Sequence, residues 1–432
     1  MFIQSKHRTK YYFIELYDSR HTLTGQTQSN LKGTEMPKIA SMLDLFETFE
    51  GNRVVLSKDY CTVVRNRNVT CRRCVEACVT GCISIAVNEI ATAPEKCIGC
   101  ATCATACPTG AFGAIRPTDE ELLSKAKTAL ELTGGKVMVV CEQYLRSIDG
   151  SISASIDFEK LVVVACLSRV DEAFLLSLVT AGVLEIKLVR ADCSTCDNSS
   201  GIQTAREVVD TTNIILEAWA NNISIEIVDE IPPSIDLSTD KEYDSSKREF
   251  FTGLFQSAVT TAGSLASSKV DETLGTEEKV EKTRLKVNCD GALPRFFPNR
   301  RKIVLESLAA LGKPKEVLIA TRLWGHVVID AELCNSCTMC ATFCPTGAIS
   351  KFKENDDIFG VEFKPTLCLK CRTCTDICIT KAIKLSDEVF SADIYSKTSE
   401  RITMKPVIRP LGAKISQKDL SRKLLGKDFF GE

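Results

Sequence analysis

The sequence predicts a multidomain chain of mixed α+β and α/β class, with two small cysteine-rich α+β segments flanking a parallel α/β unit. Three observations predict it. Cysteines gather in four tight runs, two toward each end of the 432 residues. Between them, strand-like apolar runs alternate with amphipathic helical stretches. Polar, serine-rich stretches then separate that unit from the last two runs. The order read from this is an N-terminal extension (1–45), a first cysteine-rich domain (46–117), the α/β domain (118–231), a linker with short helices (232–320), a second cysteine-rich domain (321–390) and a C-terminal tail (391–432).

The first 35 residues lack pattern and Met36 begins a cleaner sequence. The opening is therefore read as a disordered arm or a mis-called start. An apolar content of 44% allows a real core, but no run approaches the roughly 18 apolar residues of a membrane span. The opening MFIQSKHRTKYYFIELYDSRH has neither the apolar core of a signal peptide nor a twin-arginine pair ahead of one. A cytoplasmic location without a membrane span is expected. A formal net charge of -2, with no basic stripe or helix-turn-helix pattern, gives no pull toward nucleic acid.

Twenty-two cysteines in a chain of this size mean a disulfide scaffold or metal sites. Disulfide scaffolds are short, secreted and poor in core, so metal ligation is the reading here. The second run is Cys97, Cys100, Cys103, Cys107, Pro108, and the third is Cys334, Cys337, Cys340, Cys344, Pro345. Both are C-x2-C-x2-C-x3-C-P, the run that bacterial ferredoxins use for 4Fe-4S clusters. Its first three thiolates serve one cubane and its fourth reaches the neighbouring one, so clusters come in pairs. The fourth run, Cys368, Cys371, Cys374, Cys378, keeps the spacing but has Ile379 in place of proline. That change concerns turn stiffness, not ligation.

The first run is irregular, with Cys61, Cys71, Cys74, Cys78 and Cys82 offering five thiols for four places. CPTGAF follows from Cys107 and CPTGAI from Cys344; the matching text here is CVTGCI from Cys78. Cys78 is then the fourth ligand, with Cys74 and Cys71 third and second. The first place falls on Asn68, which has no thiol, so Cys61 is expected to fill it. Cys82 stands where the other runs have alanine and is read as a small buried residue. Cross-pairing gives four sets: Cys61, Cys71, Cys74 and Cys107; Cys97, Cys100, Cys103 and Cys78; Cys334, Cys337, Cys340 and Cys378; Cys368, Cys371, Cys374 and Cys344. The competing reading, structural zinc, spaces two C-x2-C pairs further apart, and only His7, His21 and His326 are present for mixed sites. Over about 60 residues each, the terminal segments resemble bacterial dicluster ferredoxins, which implies ferredoxin-like domains. The stretch KFKENDDIFGVEFKP (351–365) reads as a polar hairpin between two short strands.

In the middle, KVMVVC (136–141), LVVVAC (161–166), EIKLVR (185–190) and SIEIV (224–228) read as buried strands, and 171–182 and 204–220 as helices. A further helix starts at Thr118, followed by Asp119, Glu120 and Glu121 in its first turn. This is a Rossmann-like parallel α/β pattern. Cys141 and Cys166 each end a strand, and Cys193 and Cys196 follow a third, so all four are expected at the carboxyl edge where such sheets bind ligands. The plainer reading is two buried thiols and a chance pair. The stretch VACLSRVDEAFLLSLVTAGVLEIKLVRADCSTC resembles, within about 100 residues, the small iron-sulfur subunit that links hydrogenase to heterodisulfide reductase in methanogens. Cys166, Arg169, Val170, Asp171, Cys193 and Cys196 match its pattern, and Cys141 stands in its earlier cysteine region. An adjacent cysteine pair of that family is single here, and a glycine before its arginine is Ser168. The resemblance implies a 2Fe-2S cluster on Cys141, Cys166, Cys193 and Cys196.

The stretches 231–247 and 264–283 read as exposed connectors, 247–259 and 300–312 as short helices beside the second ferredoxin segment, and the basic tail 414–427 as a frayed helix. Arg65, Arg67, Arg72 and Arg73 crowd the irregular run, either as a solvated face or as charges that offset a cluster or dock an acidic partner. The chain has no dinucleotide fingerprint, no phosphate loop and no nucleophile with a histidine base. It is expected to be a non-catalytic carrier between partners such as a reductase, a dehydrogenase or a hydrogenase. The alternatives are a catalytic subunit whose middle domain binds flavin or acts on a thiol, and an iron-sulfur regulator.

Overall fold

The computed structural model describes residues 53–148, 156–233, 235–238, 293–355 and 358–405. The N-terminal extension, the expected helix over 247–259, the connector 264–283 and the basic tail lie outside the described residues. The chain divides into Met1–Thr48 and Phe49–Glu432, and everything described falls in the second unit.

The first cysteine-rich segment is closed by its own ends: β1 (Val54–Leu56) pairs antiparallel with β4 (Phe112–Ala114), Leu56 opposite Phe112. Inside it, β2 (Ile83–Ala86) and β3 (Glu89–Thr92) form a hairpin with a two-residue loop. Asn88 takes the positive φ that such a tight loop demands. Three one-turn helices, Thr62–Arg65, Arg73–Glu76 and Thr102–Ala106, carry the cysteine runs.

The helix Asp119–Leu132 opens with a capping box in which Thr118 and Glu121 satisfy each other's backbone N–H groups. It leads into β5 (Lys136–Cys141), followed by β6 (Val162–Val164), the helix Glu172–Thr180, β7 (Glu185–Val189), the helix Gly201–Ala218 and β8 (Ile225–Val228). All four strands are parallel in the order β6-β5-β7-β8. Val137, Val139, Val162, Ile186 and Leu188 are completely buried, as strands covered on both faces require. The order reverses direction between β5 and β7, and Cys141 ends β5 at that point. One expectation needs correction: β6 stops at Val164, not Cys166. The chain leaves the sheet there, and Cys166 instead precedes a tight turn over Leu167–Arg169.

The helix Asn299–Leu311 forms where 300–312 predicts one. It packs on Glu172–Thr180, and its Val304 and Leu308 join the core of the α/β unit rather than standing only beside the second cysteine-rich segment. Beyond it, β9 (Leu318–Ala320) leads into β10 (His326–Ile329), then β11 (Ile349–Lys353), β12 (Phe359–Phe363), β13 (Ile383–Ser386), β14 (Glu388–Phe390) and β15 (Glu400–Thr403). β10 pairs with β13, repeating the β1–β4 closure of the first segment. The expected hairpin is β11–β12, and β15 adds a third strand to it. β14 pairs back to β9. Val63, Val64 and Phe112 share one apolar cluster with Met339, Phe343 and Ile377, so the two cysteine-rich segments pack directly on each other. Among the described residues no helix is long and apolar enough to cross a membrane.

Candidate metal centres

The three regular runs share a backbone device. Two residues in the left-handed region flank the second cysteine of each: Gly99 and Ala101 about Cys100, Ser336 and Thr338 about Cys337, Lys370 and Arg372 about Cys371. Five of these six are not glycine, a conformation that costs of order 1–3 kcal/mol each. Left-handed residues set among others can turn successive N–H groups into a concavity that suits an anion, an arrangement known from iron-sulfur sites. The Ser336 and Lys370 N–H groups donate to the first sulfur of their runs, Cys334 and Cys368, each at 3.4 Å. The turns after the fourth cysteines do likewise, Ala111 N–H to Cys107 Sγ at 3.3 Å and Ile349 N–H to Cys344 Sγ at 3.4 Å. The irregular run lacks this pair: Arg72, after Cys71, has φ -130°.

The thiols gather accordingly. Cys74 lies within electrostatic reach of Cys107, Cys61 and Cys71; burial pushes it up to about 12 and those neighbours add to the rise. Cys61 is held ahead of the helix Thr62–Arg65, is 8% exposed and lies within electrostatic reach of Cys107 and Cys71. Burial and the neighbours Cys100, Cys97, Cys82 and Cys74 raise Cys103. In the second segment Cys340 is pushed up to about 12 by burial, then by Cys337. Cys337 feels Cys334 and Cys378. Cys374 is raised well above the ordinary thiol range by burial and by Cys371, Cys368, Cys344 and Cys340. These thiols would ligate iron as thiolates, so a bound cation would displace the proton that burial favours. No three His, Cys, Asp or Glu side chains among the described residues converge tightly enough for a single metal ion. Cubane ligands sit on four separate irons.

The Cys78 and Cys82 sulfurs are 3.5 Å apart, and Cys82 lies within electrostatic reach of Cys97 and Cys103. Burial raises Cys78, but hydrogen bonds from Thr80 and Cys82 outweigh it and hold that thiol below its ordinary value. Cys82 is pushed up to about 12 by burial and by Cys78. Cys82 is buried, as read from the alanine at the matching places, yet it is also beside the site.

The four thiols of the α/β unit do not all converge. Cys193 lies within reach of Cys141 and Cys196. Cys166 turns toward the first segment, held by Ser168 and Asn198 and near Cys100. Asn198 connects the two groups, its N–H 3.5 Å from Cys196 Sγ. Thr102 Oγ1 meets Cys100 Sγ at 3.2 Å and Ser168 Oγ at 2.7 Å, and accepts from Asn198 Nδ2 at 3.4 Å. This polar bridge between the second thiol set and the α/β unit was not legible in the sequence, although Ser168 marks the departure from the small-subunit pattern.

Two ionic groups fix the segments together. Asp171 caps Glu172–Thr180 by accepting from Phe174 N–H, and pairs with Arg300 at 2.8 Å. Asp119 accepts from Arg300 and Arg169, and Arg300 also donates to the Ala104 carbonyl. Glu172 takes both arms of Arg322, at 2.5 and 2.9 Å. The solvated-face reading of the arginine crowd fails for one member: Arg65 is 2% exposed, donating to the carbonyls of Asp59 and Pro294. Arg67 and Arg72 are exposed, and Arg73 donates to the Lys370 carbonyl.

Residues 92–112 match the family model for a 4Fe-4S binding domain, and residues 328–382 match that for a 4Fe-4S dicluster domain. No curated protein sequence matches the chain significantly. The two matched segments, each rich in cysteine, are of 4Fe-4S ferredoxin type and support an iron-sulfur electron-transfer protein.

Proposed function

We propose that the chain is a polyferredoxin that relays electrons between redox partners through four 4Fe-4S clusters. The ligand sets are Cys61, Cys71, Cys74 and Cys107; Cys97, Cys100, Cys103 and Cys78; Cys334, Cys337, Cys340 and Cys378; and Cys368, Cys371, Cys374 and Cys344. The observation that carries this is the left-handed pair about the second cysteine of each regular run, strain that an anion-binding loop explains. Bound cubanes supply one-electron carriers. The chain's residues hold them by thiolate, donate backbone N–H groups to the sulfurs and exclude water through burial, all of which tune potential. Phe343, Met339 and Ile377 pack the second segment onto the first, while Thr102 and Ser168 join the first to the α/β unit. Carriers in separate segments are thereby kept in one body.

A fifth, 2Fe-2S site is proposed on Cys141, Cys166, Cys193 and Cys196. Its support is the strand-order reversal beyond Cys141 and the closeness of Cys141, Cys193 and Cys196. Cys166 would have to turn from Ser168 to join them. Partners are redox proteins such as a reductase, a dehydrogenase or a hydrogenase. The same strand-order reversal favours one other reading, a catalytic subunit with flavin at that edge, and flavin in the purified protein would establish it.

The test is iron and sulfide content of anaerobically purified protein, with low-temperature EPR after reduction. About sixteen irons per chain are expected from four cubanes, and about two more from the fifth site. Far fewer than sixteen would sink the polyferredoxin reading. Full iron retention after replacing Cys193 and Cys196 together would remove the fifth site.

A further inference from the structure

We propose that Arg65 and Arg301 are the counter-charges of one thiolate set, Cys344, Cys368, Cys371 and Cys374, and that they raise the reduction potential of the cubane held there above the other three. The proposal rests on the polyferredoxin reading.

A charge taken out of water needs an opposite charge close by. Arg65 is 2% exposed and Arg301 5%. Among the described residues, no carboxylate oxygen lies within 4.0 Å of either guanidinium. Their partners are neutral. Arg65 donates to the carbonyls of Asp59 and Pro294 and lies over the Phe296 ring at 5.3 Å. Arg301 donates to the Leu323 carbonyl and lies over the Trp324 ring at 4.4 Å. Arg65 Nε and Arg301 Nη1 are buried with no hydrogen-bond partner at all. Their neighbours behave differently: Arg300 has Asp119 and Asp171, and Arg322 has Glu172. Burial without a carboxylate thus sets these two apart from the adjacent arginines.

Both sit against the same thiols. The strap that receives Arg65 through Pro294 and Phe296 is tied to the residue after Cys344, because Phe296 N–H donates to the Pro345 carbonyl at 2.9 Å. Arg65 lies within electrostatic reach of Cys344 and Cys371. Trp324, beneath Arg301, donates to the Thr366 carbonyl two residues before Cys368. Arg301 and Cys368 feel each other's charge. Burial pulls Arg301 down to about 10, which leaves it charged at neutral pH. The acids that also reach these groups are Asp59 for Arg65 and Glu172 for Arg301, the latter already taken by Arg322. Elsewhere the balance differs: Cys71 feels Arg73 and Asp376 with opposite sign.

A cubane on four thiolates is anionic, and accepting an electron adds one more negative charge. Two buried cations beside it favour the reduced form, because net charge and surroundings set such potentials. Arg65 belongs to the first ferredoxin-type segment and the thiols to the second. The potential is therefore a property of the docked pair of segments, and this set becomes the place where electrons collect.

The test is an EPR-monitored redox titration of the full-length anaerobic protein carrying Arg65→Met, Arg301→Met, or Arg65→Lys and Arg301→Lys as charge-retaining controls. The signal absent from Cys371→Ser identifies the cubane concerned. Each Met variant should keep the wild-type iron content and shift that one midpoint negative by about tenfold in its reduction equilibrium, about 59 mV for one electron. The Lys variants should keep most of the wild-type value. An unchanged midpoint, or equal shifts in every signal, overturns the proposal. If the Met variants lose iron, Arg65→Gln and Arg301→Gln decide by the same criterion. Low iron in the wild-type protein would instead count against the polyferredoxin reading.

Discussion

The sharpest prediction concerns Cys78, proposed as the fourth ligand of the Cys97 set, and its neighbour Cys82. Cys82 immediately precedes β2, where its carbonyl is fixed by Ala93 N–H at 2.8 Å, and Cys78 lies in the turn just before it. Their sulfurs are 3.5 Å apart, so transfer of ligation from one to the other needs a side-chain rotation and no backbone movement. Cys78→Ser and Cys82→Ser should each retain all iron. The double variant should lose one cubane, about four of about sixteen irons, or roughly a quarter. Iron and sulfide analysis of anaerobic protein reads the loss directly, and EPR spin counts of the reduced protein check it. A quarter of the iron lost from Cys78→Ser alone would refute the exchange. The same loss from Cys82→Ser alone would overturn the alignment that places Cys78 fourth.

Three further outcomes are expected. Cys61→Ser should lose about one cubane's iron, since Cys61 lies within electrostatic reach of Cys71, Cys74 and Cys107; unchanged iron would refute the proposed ligand role. Glu172→Gln breaks a pair whose carboxylate is 4% exposed and should destabilise by about 3 kcal/mol in urea unfolding followed by visible absorbance, with no loss of iron in native buffer. Asp119 is opposed by burial, but hydrogen bonds and charge from Arg300, then Arg169, hold its carboxyl below the ordinary 3.8. Its contribution is therefore complete above pH 3.8 and lost as pH falls through the lower folded value. Because the carboxylate is 41% exposed, Asp119→Asn should cost about 1 kcal/mol at pH 7, and the gap from wild type should close on the acid side of unfolding curves.

What the sequence revealed follows from how local each feature is. Cysteine spacing is read within about ten residues, and β5 is an apolar run while β7 and β8 set Ile, Leu and Val around single charged residues, so both were legible. The helix after Thr118 announced itself through its N-cap and the acidic residues of its first turn. Arg65 could not be placed, because its burial depends on Pro294, a partner 229 positions away. Cys166 looked like the end of a strand, but its direction is fixed by Asn198 and by Thr102 of another segment. The helix 299–311 is legible and its seat is not, since an amphipathic face does not state which apolar surface will cover it.

The ionic knot about Arg300 has a consequence for the order in which the protein is made. Asp119 and Asp171 emerge from the ribosome well before Arg300, the residue that binds them both and the Ala104 carbonyl between Cys103 and Cys107. Until then the cysteine loop of the first segment lacks one of its supports and Asp171 lacks its buried countercharge. Cluster insertion into the N-terminal half should therefore be completed late, after residue 311 has folded back onto the α/β unit, and a nascent chain stalled before Pro298 should load iron poorly even though its own cysteines are all present.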